Sequence, residues 1–189
     1  MSEILLPENG ILFMKVGVHA NESLEDIIAR KTKEIDDAGF ALWGYGGSTC
    51  HPSTMVQPFA KNRADQGKPI FLCMHEMNSR HFAEQIRAQQ MSIDGIHWEP
   101  IHDKINVLGS RYALAIKDLR REEFSITLEH TQIAVGPSKG KLGHRYLKGQ
   151  SDKACLELIA VEDRVPADAP PLSIELVAEL CEPYAVFLK

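Results

Sequence analysis

No apolar run in this chain approaches the roughly 20 residues that a membrane-crossing helix needs. The opening MSEILLPENG lacks the basic leader and long apolar core of a secretory signal, so neither a spanning segment nor secretion is expected. Positive charge is outnumbered, with 21 Lys and Arg against 26 Asp and Glu. The net charge of -5 argues against general nucleic-acid binding, which needs a basic face. The four cysteines, Cys50, Cys73, Cys155 and Cys181, are scattered without a C-x-x-C spacing, so the sequence spells neither a zinc knuckle nor a local redox pair. Free thiols in a reducing, cytoplasmic compartment are the simplest expectation. No fixed-period repeat and no low-complexity tract divides the chain, and residues 1–189 read as one domain.

What is present is ordinary globular material, 44% hydrophobic and 25% charged, and long enough for one sizeable core. Residues 11–18 (ILFMKVGV) follow the turn signal Asn9-Gly10 and have the apolar density of a central strand. A helix is expected over residues 24–38, with Asn21 or Ser23 as N-cap, Glu25 and Asp26 in its first turn and Gly39 as its stop. Leu24, Ile27, Ile28, Ile35 and Ala38 would form its buried stripe. A second strand starting at Phe40 gives a βαβ-like opening. Residues 61–68 read as a polar connector and residues 69–77 (PIFLCMHEM) as a third strand. Ser79 can cap a helix over residues 80–90 whose inner face holds Phe82, Ala83 and Ile86.

From Met91 onward the period changes. Tyr112, Leu114 and Ile116, then Phe124, Ile126 and Leu128, recur at every second position, the mark of half-buried strands. Residues 154–161 resume that pattern, residues 166–171 form a proline-rich connector, and residues 173–181 suggest a short amphipathic helix. The expected class is α/β, with α+β as the alternative. A βαβ-like half covers about residues 1–90, and a mainly antiparallel, β-rich half covers about residues 91–189.

Two stretches carry the chemistry. Residues 40–59 (FALWGYGGSTCHPSTMVQPF) run from an apolar strand through Gly44, Gly46 and Gly47, which let a backbone approach a ligand closely, into Ser48, Thr49, Cys50 and His51. Trp43 is expected in the core. Tyr45, between two glycines, is expected to be exposed and to cover a flat ligand such as a nucleobase while Ser48, Thr49 and His51 hydrogen-bond to it. Residues 136–153 (GPSKGKLGHRYLKGQSDK) set Lys139, Lys141, Arg145, Lys148 and Lys153 against only Asp152 and expose several glycine N–H groups, a composition suited to phosphate or carboxylate. This is not a phosphate-binding P-loop, because Gly136 and Gly140 are one residue too close and Leu142 stands where Ser or Thr belongs.

Cys50 could serve as a nucleophile, but His51 would point to the opposite side, so a base from elsewhere, such as His75, His81 or His97, would be needed. His75, Glu76 and His81 do not form a zinc helix motif, since Asn78 interrupts the spacing, and no metal site is expected. His97 and Glu99 could share a strand face and pair, with His102 and Asp103 nearby. The leading expectation is a protein that binds a small anionic metabolite, a nucleotide being the named class, between residues 44–51 and 139–148. The alternatives are an enzyme using Cys50 with His75 on such a ligand, and a protein-interaction module. No cofactor is spelled out. A homodimer is compatible with the chain's size, and nothing in the sequence requires one.

Overall fold

The computed structural model describes residues 3–46, 49–81, 83–147 and 151–189. Its frame begins at β1 (Gly10–His19), whose first half, residues 11–14, is continuously apolar because both faces are covered there. Leu12 and Val16 enter one buried cluster, Ile11 and Phe13 the other. Next comes α1 (Leu24–Ala38), at the expected place. The Ser23 hydroxyl accepts from the Asp26 N–H at 3.1 Å, and Gly39, at φ 85°, donates its own N–H to Ile35 O.

After α1 the local pattern and the fold part company. The strand β2 (Ala41–Gly44) forms as expected but pairs antiparallel with β6 (Tyr112–Ile116), far from β1. The neighbour of β1 is β3 (Ile70–His81), parallel, with Leu12 opposite Leu72 and Met14 opposite Met74. The β1-to-β3 crossover therefore contains α1, β2, a π-helical turn at Pro52–Val56 and α2 (Gln57–Asp65). The expected polar connector over 61–68 is largely the outer face of α2, which buries Phe59 and Ala60. The helix expected over 80–90 does not form. Pairing of Val18 with Arg80 and His19 with His81, past an irregularity in β1, carries β3 on to His81, and the ladder overrides the local helical spelling. Ile86 is 64% exposed rather than inward, and Phe82 lies outside the described residues.

The second half is β-rich, as the period-2 pattern indicates. It comprises β4 (Gln90–Ser92), β5 (Glu99–Pro100), β6, β7 (Arg120–Ile126), β8 (Thr131–Ile133), a single helical turn α3 (Gly143–Tyr146), β9 (Lys153–Leu158) and β10 (Leu172–Leu188). The helix suggested over 173–181 is instead the first half of β10. Leu176, Val177 and Ala178 are buried in succession there, which suits a strand covered on both faces and no amphipathic helix.

Among the described residues the ten strands form one mixed sheet in the order β2-β6-β10-β3-β1-β9-β8. The pair β1 and β3 is parallel, and every other pairing is antiparallel. β7 continues the line of β6 along β10, and the β4–β5 hairpin pairs with the far end of β10. This is an α/β fold with a mixed sheet. One face packs Leu12, Leu72, Met74 and Leu176 against Leu24 and Ile27 of α1 and Phe59 of α2. The other packs Phe13, Phe71, Ile126 and Ile174. A smaller cluster around Leu42, Ile105 and Val107 fastens the 101–108 segment to the β2 edge.

Candidate functional site

A cavity of about 750 Å³ opens where the last turns of several elements converge. Its walls are the second half of β1, α1 at Ile27, Arg30 and Lys31, the end of β2 through Gly46, β3 at Met77 and Arg80, the loop 106–112, and Asp152 with Lys153 at the start of β9. Six of the lining residues are basic, namely Lys15, Arg30, Lys31, Arg80, Arg111 and Lys153, against the single acid Asp152. In a chain of net charge -5 this is a strong local inversion of sign, and a low-dielectric cleft focuses such a field.

These cations are not equivalent. Arg30 is held by Glu22 at 2.6 Å and Glu34 at 3.0 Å and also donates to Asn106 O. Lys31 is 2% exposed, and its Nζ donates to Glu34 Oε2 at 2.9 Å and to Asn106 O at 2.7 Å. Burial pushes the Lys31 ammonium down to about 8, with Glu34 opposing the shift. These two residues fasten α1 to the loop, a bond completed by the Asn106 N–H donating to Glu34 Oε1. Arg80 and Arg111 are exposed and enter no ion pair among the described residues. Among the described residues no acid pairs with the charge they carry.

Lys153 is 6% exposed. Its Nζ sits 5.4 Å from the Tyr45 ring centroid and donates to Asp152 Oδ2 at 3.0 Å. Partial burial would raise the Asp152 carboxyl, but the Lys153 ammonium outweighs it and holds the group below the usual range. Opposite them, His19 Nε2 lies 2.9 Å from Leu108 O and 3.5 Å from Ser110 Oγ. Gly109 makes this corner possible. Its φ is +61°, and an added Cβ would stand 2.7 Å from both the Ala83 Cβ and Glu84 O.

The expected residues distribute unevenly over this geometry. Gly46 lines the cavity, with Lys153 Nζ 3.7 Å from where its Cβ would be. Tyr45 lines it too, but it is 1% exposed and no free cover. Its hydroxyl, which burial keeps protonated, donates to Cys50 O at 2.9 Å. Thr49 Oγ1 donates to Asp152 Oδ1 at 3.2 Å. His51 caps the π-helical turn, accepting from the Ser53 N–H, and meets Tyr112 edge-on at 5.4 Å without lining the cavity itself. Gly47, Ser48 and Lys148 lie outside the described residues.

Lys139, Lys141 and Arg145 are exposed, and none of them lines the cavity. The two glycine-bearing segments nevertheless touch. The Tyr146 hydroxyl lies 3.4 Å from Thr49 O, and a Cβ on Gly136 would meet the Met55 Cε at 3.1 Å. The basic segment reaches the cavity through its end, Asp152 and Lys153, rather than through its middle.

The pairing of Cys50 with His75 is not formed. His75 alternates with Met74 on β3 and shares its face with Cys73, so it faces the opposite side of the sheet from the cluster holding Cys50 and Cys155. Its Nδ1 lies 3.2 Å from Glu175 Oε2. His97 pairs with Asp94 at 2.6 Å rather than with Glu99, out in solvent. His102 sits beside Asp103. Cys50 is 3% exposed, and its nearest chemical neighbour is another thiol, with Cys155 Sγ 3.4 Å away. No group of residues among those described could hold a metal ion.

Arg80, Arg111, Lys31 and Ser110 were not singled out in the sequence. They come from three separate stretches of the chain and carry no motif, and Arg80 falls inside the expected helix. Set against protein-family models, curated proteins and solved structures, the chain matches none of them.

Proposed function

We propose that this protein binds a small anionic metabolite, with a nucleotide as the preferred class, in the cavity between β1, α1 and the loop 106–112. The observation that carries this reading is the presence of Arg80 and Arg111, unpaired among the described residues, beside Lys153 in the lining of one cavity. An unpaired guanidinium presents a planar fork suited to phosphate or carboxylate oxygens. The volume of about 750 Å³ falls within the range of small-molecule sites. Trp43 and Tyr112 add aromatic surface to the lining, where a flat base could stack. Gly46 keeps the backbone open beside Lys153, and Asp152 is placed to receive a ligand hydroxyl or amine.

The experiment is a melting-temperature screen against inorganic phosphate, pyrophosphate and the adenine and guanine nucleotides, followed by calorimetric titration of any hit. A nucleotide should raise the melting temperature more than pyrophosphate does, and raising the salt concentration should weaken binding. Replacing Arg80 and Arg111 together by Ala should lower affinity tenfold or more while leaving the melting temperature of the unliganded protein nearly unchanged, since both side chains are exposed. Failure of every anion to shift the melting temperature at millimolar concentration would defeat the reading. So would a double variant that binds as tightly as the parent.

A further inference from the structure

We propose that Cys50 and Cys155 form a redox-active dithiol that closes reversibly to an intramolecular disulfide. The two residues are 105 positions apart in the chain, yet the fold brings their sulfurs to 3.4 Å inside one buried cluster. Cys155 stands on β9 opposite Leu12 of β1, and Cys50, just ahead of the turn Pro52–Val56, packs into the same buried cluster as both. A disulfide needs sulfurs about 2.05 Å apart, so closure calls for an approach of roughly 1.4 Å, within reach of side-chain rotation and small loop adjustment.

The surroundings make the two thiols unequal. The Cys155 thiol beside it, with the Lys153 ammonium adding to the effect, holds Cys50 below the ordinary thiol value against the opposing effect of burial. Cys155 is pushed well above it, chiefly by burial and then by Cys50 itself. This is the division of labour that a thiol pair needs, an attacking thiolate beside a resolving thiol.

With a hydroperoxide as oxidant, the Cys50 thiolate attacks one peroxide oxygen. The O–O bond breaks, Cys50 becomes a sulfenic acid, and the leaving oxygen takes a proton to become water or an alcohol. The Cys155 sulfur then attacks Cys50 Sγ. The S–O bond breaks, hydroxide leaves with the Cys155 proton as water, and the S–S bond forms. Both electrons come from the thiol pair and both go to the peroxide. A small dithiol reverses the product by exchange and is itself oxidised to its cyclic disulfide.

The other two cysteines serve as internal controls. Cys73 is wholly buried in the opposite cluster, and burial pushes its thiol up. Cys181, half-buried, is pushed up to about 11. Among the described residues neither makes a sulfur–sulfur contact like that of Cys50 with Cys155.

The test uses the full chain, fully reduced and freed of reductant, exposed to hydrogen peroxide and then alkylated. The expected result is a loss of two hydrogens in intact mass, two alkylatable thiols remaining of the four, and a single cross-linked peptide joining Cys50 to Cys155 that dithiothreitol dissolves. Cys155→Ser should leave Cys50 as a sulfenic acid trapped by dimedone, whereas Cys50→Ser should leave Cys155 unmodified. The oxidised parent should also melt at a higher temperature than the reduced one. Four free thiols after a dose that fully oxidises glutathione would overturn the proposal. A link involving Cys73, Cys181 or a second molecule would do the same. Should either variant fail to fold, peptide mapping of the parent alone decides.

Discussion

Lys31 is a lysine with almost no water around it, and its ammonium stays inside because Glu34 and the Asn106 carbonyl receive its protons. Its folded value, about 8 against an ordinary 10.5, is depressed. The charged form is therefore penalised in the folded state, fully so below pH 8. Between 8 and 10.5 the unfolded chain holds a proton that the folded protein has released, and stability rises with pH by up to about 3 kcal/mol from this group alone. Urea midpoints across that window should show the rise in the parent and lose it in Lys31→Met; equal slopes in the two would show that Lys31 is not the source. At this scale the sequence was legible where chemistry is local. Gly39 could be assigned as the stop and the N-cap narrowed to Asn21 or Ser23, of which the fold uses Ser23, because a cap answers to its own turn. Tyr45 was misjudged because its burial depends on Cys50 O and Lys153, and no flanking glycine announces those contacts.

Among the elements, α1 is the one whose limits were fully readable, and its two ends give matched predictions. Ser23→Ala removes the bond to the Asp26 N–H and should cost about 1 kcal/mol; Gly39→Ala forces a side chain into φ 85° and should cost about the same, both read from urea unfolding. The loop 106–112 should respond differently. Gly109→Ala sets a Cβ against the Glu84 carbonyl, and it should cost about 1–3 kcal/mol and also displace Ser110 and Arg111 from the cavity. The expected signature is anion affinity reduced more than the loss of stability explains, measured by calorimetry well below the variant's melting temperature. Full affinity in Gly109→Ala would show that the loop does not shape the site. Residues 80–90 and 173–181 mark the limit of reading elements from local spelling. Both carry helical spacing, but the first is largely claimed by pairing with β1 or by irregular extended chain, and the second by pairing with β3 and β7. A strand's partners are set by residues far along the chain.

Across the whole molecule β10 is the shared member. It pairs with β3 through Leu176–Glu179, with β7 and β6 along its other side, and with β4 at its end. Leu176, fully buried between these strands, should cost about 2–5 kcal/mol when replaced by Ala. Because among the described residues β10 is the strand that joins β3 to β6, the loss should appear as one transition in which tryptophan fluorescence and far-ultraviolet dichroism coincide. Two separated transitions would show that the β2–β6 edge holds without β10. The sheet order could not be read from the sequence, since it rests on one strand finding partners between 70 and 126 residues in.

The same strand sets the terms of synthesis. The ribosome delivers β3, β6 and β7 well before residues 172–188, so both edges destined for β10 emerge with their N–H and C=O groups open and their apolar faces uncovered. The nascent chain must carry those sticky edges through translation of the whole 127–171 stretch, a period in which pairing with the wrong neighbour competes with waiting. Pairing across the middle of the sheet thus waits until residues 172–188 have been made, and the yield in a cell should depend on chaperone holding during that interval.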